Sequence, residues 1–280
     1  MMKGWQLAHG RRLDLGARAV VMGVLNVTPD SFSDGGRFDR IDDALAQARR
    51  MHAEGAAIID VGGESTRPGA DAVSPEAEQA RTLPVIEEIA RWPDVLVSVD
   101  TYRAETARRA VAAGAHIVND VCGLQREPGI ARVAAETGAG LVVMHTGRER
   151  EPLADVIADQ WAFLGHSLDV AAAAGVSPDQ IVLDPGFGFG KDSEDNLCLM
   201  ARFGELASHR RPWLVGTSRK RFVGTVTGRD AGGRDAGTAA TSVILRLAGA
   251  SIFRVHDVAT NVDALAFADA MLARGMNALR

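Results

Sequence analysis

The sequence predicts an α/β protein folded as a single (β/α)₈ barrel domain over residues 1–280, and three observations carry that expectation. Short β-rich apolar runs recur eight times. Each is followed by a segment with helical periodicity. The runs are near-continuously apolar, the pattern of parallel strands buried on both faces. Eight such units in about 250 residues match closure into a TIM barrel, with a doubly wound open sheet as the alternative.

The strands are expected at ARAVVMGVL (17–25), AAIIDV (56–61), VLVSVD (95–100), AHIVND (115–120), GLVVMH (140–145), QIVLD (180–184), WLVG (213–216) and SIFRVH (251–256). The helices are expected at 39–54, 74–90, 103–113, 127–137, 154–174, 193–207, 235–249 and 259–273, punctuated by Gly, Pro, Asp and Ser. The leading segment 4–16 is extra to the repeat and is expected as a hairpin under the barrel. Residues 226–237 (VTGRDAGGRDAG) are Gly-rich and read as a flexible excursion in the seventh unit.

At 46% hydrophobic and 24% charged residues the chain has the composition of a soluble globular domain. Its net charge of −5 argues against a nucleic-acid-binding face. No apolar stretch approaches a membrane span, and the opening residues lack the apolar core of a signal peptide, so a cytoplasmic protein is expected. Cys122 and Cys198 lie far apart without CxxC spacing, which points to neither a disulfide nor a zinc site.

Sites in this fold form at the carboxyl ends of the strands. There the chain places Asn26, Gly62-Gly63-Glu64, Asp100, Asn119-Asp120, Met144-His145, Asp184, Ser218-Arg219-Lys220 and Arg254-Val255-His256-Asp257. Asp100, Asn119, Asp184 and Lys220 can address a flat heterocycle bearing adjacent amino, ring N–H and carbonyl groups. The simpler alternatives are a helix cap for Asp100 and turn roles for Asn119 and Asp184. Arg254 and His256 alternate along the last strand, which neighbours the first in a closed barrel, so both can meet Asn26 in a site for an anion with a metal. An ion pair with Asp257 is the alternative for Arg254. The loops 26–38 and 62–70 are longer than ordinary βα turns and read as closing lids. Lysine occurs only at positions 3, 191 and 220. Lys191 and Lys220 follow glycine-rich or small-residue turns, where an ammonium does what a guanidinium cannot. Survival at random surface points is the plainer reading of both.

The runs MGVLNVTPDSFSDGG (22–36), DVGGESTRPGA (60–70), SVDT (98–101), VNDV (118–121), LDPGFGFGK (183–191), VGTSRKRFVG (215–224) and RVHDV (254–258) resemble dihydropteroate synthases over essentially the whole barrel, in order and at family-like spacing. The resemblance implies a transferase of folate biosynthesis. It would join 6-hydroxymethyl-7,8-dihydropterin diphosphate to p-aminobenzoate, releasing pyrophosphate and 7,8-dihydropteroate, with Mg²⁺ as cofactor. It implies Asp100, Asn119, Asp184 and Lys220 on the pterin, with Met144, Phe189 and Gly216 as walls. It puts Mg²⁺ on Asn26 and the diphosphate on Asn26, Thr66, Arg254 and His256. It gives the aminobenzoate pocket to Phe32, Thr66, Arg67, Pro68, Ser218 and Lys220, and includes Asp34 with Lys220, Arg254 and His256 among the catalytic residues. Sulfonamide-type inhibitors and a homodimer through the last helices are further implications. One departure is MHTGRERE (144–151), where many members carry a longer MHMQG-type loop. The rival readings are a pterin-binding methyltransferase barrel and a pterin-binding paralogue without catalysis.

Overall fold

The computed structural model describes residues 3–28, 37–65 and 73–275. Eight parallel strands form the barrel: β3 Val20–Asn26, β4 Ile58–Gly62, β5 Leu96–Asp100, β6 Ile117–Asp120, β7 Gly140–Met144, β8 Ile181–Asp184, β9 Leu214–Val215 and β10 Ile252–Val255. Two more, β1 Lys3–Gln6 and β2 Arg12–Leu15, pair antiparallel as the expected hairpin. The barrel order runs β8-β7-β6-β5-β4-β3-β10-β9. β9 is only two residues long, so closure rests on a bridge between Leu183 and Trp213 and on the Leu183 amide donating to the Pro212 carbonyl at 3.0 Å.

Around the barrel lie α1 Arg37–Ala53, α2 Pro75–Ile89, α3 Ala104–Ala112, α4 Gly129–Thr137, α5 Val156–Ala173, α6 Ser193–Ala201, α7 Arg221–Thr227, α8 Asp235–Leu247 and α9 Val258–Leu272. The sixth predicted helix is shorter than expected, because α6 stops at Ala201. A 3₁₀ segment, Phe203–His209, finishes it and buries Phe203 and Leu206. The expectation of a flexible excursion at 226–237 is corrected. α7 ends on Gly228, Asp230 caps a 3₁₀ turn at Ala231–Gly233, and Arg219 pairs with both oxygens of Asp235 at 2.8 and 2.9 Å. Arg234 also donates to the Arg219 carbonyl, so the segment is tied back to the turn that precedes Lys220.

Two apolar clusters follow from the period-2 geometry of strands. One fills the space between strands and helices. The other lies inside the barrel, where Met22, Ile58, Leu96, Ile117, Val142, Val182, Leu214 and Ile252 pack with Trp5, Leu7 and Leu15 of the hairpin segment. Trp5 Nε1 donates to the Gln180 carbonyl at 2.6 Å, satisfying the indole as it closes the amino end of the barrel. The carboxyl end is left open for a site. Among the described residues no helix is long and apolar enough to cross a membrane, and both cysteines are free and partly buried.

Candidate active site

Side chains two residues further along each strand face the same way, so the interior apolar layer continues directly into polar residues. Ile58 leads to Asp60 and Gly62, Leu96 to Ser98 and Asp100, Ile117 to Asn119, Val142 to Met144, Val182 to Asp184, Leu214 to Gly216, and Ile252 to Arg254. Strand register then sets Asn26, Gly62, Asp100 and Asn119 side by side across four strands. Gly62 leaves space in this row: a Cβ there would lie 3.6 Å from Asp100 Cβ and 3.7 Å from Asn26 Oδ1.

Beneath the row is a charged cluster. Arg254 Nε donates to Asp60 Oδ2 and Arg254 Nη2 to Asp100 Oδ2, both at 2.6 Å, while Asn119 Nδ2 donates to Asp60 Oδ2 at 3.1 Å. Asp60 is wholly buried, and its Oδ1 has no hydrogen-bond partner. Burial pushes the Asp100 carboxyl up to about 7, with Arg254 opposing and Asp60 adding to the rise. Asp100 is not the cap of α3: Arg103 holds the N-cap position, its amide donates to Thr101 Oγ1, and the first helical amide, Ala104, donates to Glu127 Oε2. Arg254 is paired with Asp60 and Asp100, while Asp257 caps α9 through Thr260.

Opposite this cluster stands Lys220. Its Nζ donates to the Phe187 carbonyl and lies 4.5 Å from the centre of the Phe189 ring. Burial pulls Lys220 down to about 7 against the attraction of Asp184. Asp184 is raised by burial and accepts from the Gly186 amide at 2.7 Å, so it shapes its turn as well as balancing the lysine. Gly186 must be glycine. Its φ is +64° and a Cβ would fall 1.8 Å from the His145 carbonyl oxygen. Phe189 also carries Arg148, whose guanidinium carbon is 4.4 Å from the ring centre.

A cavity of about 750 Å³ opens over these groups. Its lining includes Asn26, Asp100, Phe189, Gly216, Ser218, Lys220, Arg254 and His256. Ser218 Oγ and His256 Nδ1 are 2.9 Å apart, which turns the imidazole toward the Lys220 turn. Asn119, Met144 and Asp184 are buried just behind this surface. Phe32, Asp34, Thr66, Arg67 and Pro68 lie outside the described residues. Sequence reasoning missed Asp60 because it took only strand ends; alternation from Ile58 would have placed it inside the barrel. It also missed Arg148, which stands in the departing loop, and placed Glu64 at the strand end without a role; Glu64 lines the cavity and pairs with Arg103 at 2.6 Å.

For a metal, the described residues contain no group of three or more His, Cys, Asp and Glu side chains able to hold an ion. Asn26 offers a hard carboxamide oxygen at the cavity, which suits Mg²⁺ when substrate oxygens complete the shell.

The model of the pterin binding enzyme family matches residues 22–256. A dihydropteroate synthase of Bacillus subtilis is 46% identical over 258 residues, covering 92% of this chain and 90% of its own length. A structure of the Xanthomonas albilineans dihydropteroate synthase in complex with 7,8-dihydropteroate superposes with a TM-score of 0.87 at 40% identity, covering 96% of this chain and 99% of that one. The Yersinia pestis dihydropteroate synthase, solved as a sulfonamide drug complex, gives a TM-score of 0.87 at 43% identity over 95% of this chain and 98% of that one. A match of this extent, running through every strand of the barrel, has one consequence: the chain belongs to the dihydropteroate synthase family of pterin-binding enzymes.

Proposed function

We propose that the enzyme condenses 6-hydroxymethyl-7,8-dihydropterin diphosphate with p-aminobenzoate, giving 7,8-dihydropteroate and pyrophosphate. The observation that carries this reading is the pairing of two acidic side chains, Asp60 and Asp100, with Asn119 and Arg254 on one side of the cavity and Lys220 with Phe189 on the other. Unpaired buried polar groups are costly, so a ligand supplying matching donors and acceptors gains much of its affinity there. A 2-amino-4-oxo pterin edge supplies both. The apolar faces of the ring would lie against Met144, Phe189 and Gly216. The relative bound to 7,8-dihydropteroate supports the same assignment, since that product contains both substrate halves.

An arylamine is neutral near pH 7 and needs no strong base to attack. Loss of pyrophosphate is the harder step. Arg254 and His256 would bind the departing diphosphate, and the electron-rich reduced pterin would carry the positive charge left on its exocyclic carbon. Mg²⁺, held by Asn26 together with the diphosphate, would supply charge neutralisation at the leaving group. Ser218 would keep His256 oriented through their hydrogen bond. Thr66 is assigned to the diphosphate, and Phe32, Asp34, Thr66, Arg67 and Pro68, with Ser218 and Lys220, to the amine side. Sulfonamides would compete for the amine pocket, as the drug complex of the Yersinia pestis relative suggests. The enzyme would work in the cytoplasm as a homodimer through α8 and α9, which expose Ile244 and Phe267.

The test is pyrophosphate release measured with each substrate alone and with both. Release that needs both is expected. Methyl transfer to a corrinoid, or pterin binding without turnover, would sink the reading.

A separate expectation concerns the metal. A single neutral oxygen donor binds Mg²⁺ weakly, whereas diphosphate oxygens add charge and ligands. Calorimetry is expected to show feeble Mg²⁺ binding to the free enzyme and much tighter binding with pyrophosphate present. Equal affinity in the two states would remove Asn26 from the metal site.

A further inference from the structure

Lys191 takes no part in the reaction as described, yet it is only 9% exposed, which sets aside a chance survival on the surface. Its Nζ lies 2.8 Å from His145 Nδ1, 3.0 Å from the Gly186 carbonyl oxygen and 3.5 Å from that of Phe189. The side chain thus folds back inside the glycine-rich loop that it ends. Nδ1 faces the lysine, which burial pulls down to about 7, and the other ring nitrogen, Nε2, lies 2.9 Å from Arg150 Nη2. That nitrogen is also 2.9 Å from Asp159 Oδ2 on α5. Burial lowers His145 to about 4, consistent with a neutral ring. Asp159 also receives Arg150 and the Leu153 amide, which fixes the outer end of the chain of contacts.

The loop held in this way carries two groups of the pterin side. The Phe187 carbonyl accepts from Lys220, and the Phe189 ring contacts both Lys220 and Arg148. The neighbouring 145–148 loop is pressed against it backbone to backbone. The Gly147 amide donates to the Phe189 carbonyl at 3.0 Å, and a Cβ on Gly190 would fall 2.5 Å from the Gly147 carbonyl carbon. Two loops so closely stacked share one position, and the Lys191 side chain lies inside them on the Gly186 and Phe189 carbonyls.

We propose that Lys191 is a positioning residue: backed by His145 and Asp159, it holds residues 186–190 so that Phe189 and the Phe187 carbonyl meet Lys220 in the geometry that receives the pterin ring. The inference rests on the reading of the cavity as a pterin site. It also gives the departing segment 144–151 a role, since Arg150 anchors Asp159 and Arg148 covers Phe189.

The experiment compares wild type, Lys191→Met and Asp159→Asn by hydrogen–deuterium exchange and by titration with an unreactive 2-amino-4-oxopteridine. Lys191→Met is expected to raise exchange in 186–190 while the rest of the barrel keeps its protection, and to weaken pteridine binding about tenfold, equivalent to about 1.4 kcal/mol. The KM for p-aminobenzoate at saturating pterin diphosphate should rise by a smaller factor than the pteridine Kd, since Lys220 is the amine-side residue that this loop meets. Asp159 does not line the cavity, so Asp159→Asn should weaken pteridine binding in the same direction by a smaller factor. Pteridine affinity within about twofold of wild type in folded Lys191→Met overturns the proposal. So does a loss confined to Lys191→Met with unchanged loop exchange, which would mean direct contact with the ligand. If Lys191→Met fails to fold, Asp159→Asn decides alone, and wild-type affinity and exchange there overturn it. A wild-type enzyme that binds no pteridine would instead sink the functional reading, leaving the exchange data to judge whether Lys191 holds the loop.

Discussion

Lys220→Ala is expected to lower turnover by about 10²–10³-fold while leaving the barrel folded, because it removes a proposed charged contact to the substrate worth about 3–4 kcal/mol. Lys220 is the residue on which the two halves of the cavity converge. It binds the Phe187 carbonyl, lies over Phe189 and balances Asp184. Desolvation offsets part of what these contacts contribute, so the variant is expected to be somewhat less stable but folded, and rates are compared on protein with a native circular dichroism spectrum and a cooperative melt. Lys220→Arg is not expected to restore activity. The lysine stem passes under Gly188, where even an added Cβ would come within 3.0 Å of Lys220 Cδ, leaving little room for a planar fork. Steady-state rates on folded protein provide the measurement, and a Lys220→Ala enzyme retaining more than about a tenth of wild-type activity would contradict the role.

The fold was legible because strand and helix periods differ and because each repeat is short. Eight apolar runs and the helices between them could be counted before any contact was known, and the hairpin was visible as a segment left over from the count. Strand ends gave Asn26, Asp100, Asn119, Lys220 and Arg254, which the structure gathers around one opening. Pairings were harder to read. Nothing in the local sequence says that Arg254 reaches across the barrel to Asp60 and Asp100, a contact between residues 194 and 154 positions apart. Asp60 could have been found by counting in twos from Ile58, since both belong to the same interior face. The order of 226–237 was hidden for a different reason: its glycines suggest freedom, while Asp235, Arg219 and Arg234 remove it by long side-chain contacts. The glycine-rich turn singled out Lys191, but its contacts were invisible, because His145 and Asp159 come from beyond another strand and from another helix.

With Mg²⁺ and pterin diphosphate but no p-aminobenzoate, oxygen-18 in the bridging position is expected to move into the non-bridging oxygens of the diphosphate. The reason is the division of labour in the site. Asn26, Arg254 and His256 line the cavity and are proposed for the leaving group, whereas the proposed amine-side assignments fall mainly on the loops after β3 and β4. If departure precedes attack, the carbon–oxygen bond can break, the diphosphate can rotate and the bond can re-form without any amine. Arg254→Ala should suppress both scrambling and synthesis by a similar factor, because both need the same developing charge to be stabilised. That variant also strips Asp60 and Asp100 of their partner, and breaking such a buried pair costs about 3–5 kcal/mol, so the comparison is made on protein with a native spectrum. The ratio of the two rates separates the causes: a variant that only binds pterin poorly recovers both at saturating substrate, whereas one that has lost leaving-group stabilisation recovers neither. Normal synthesis with no scrambling in the absence of amine would favour concerted displacement, or a cation captured before the diphosphate can rotate. The assignment of Arg254 would survive that outcome, since a concerted route also expels pyrophosphate, but the free cation would not.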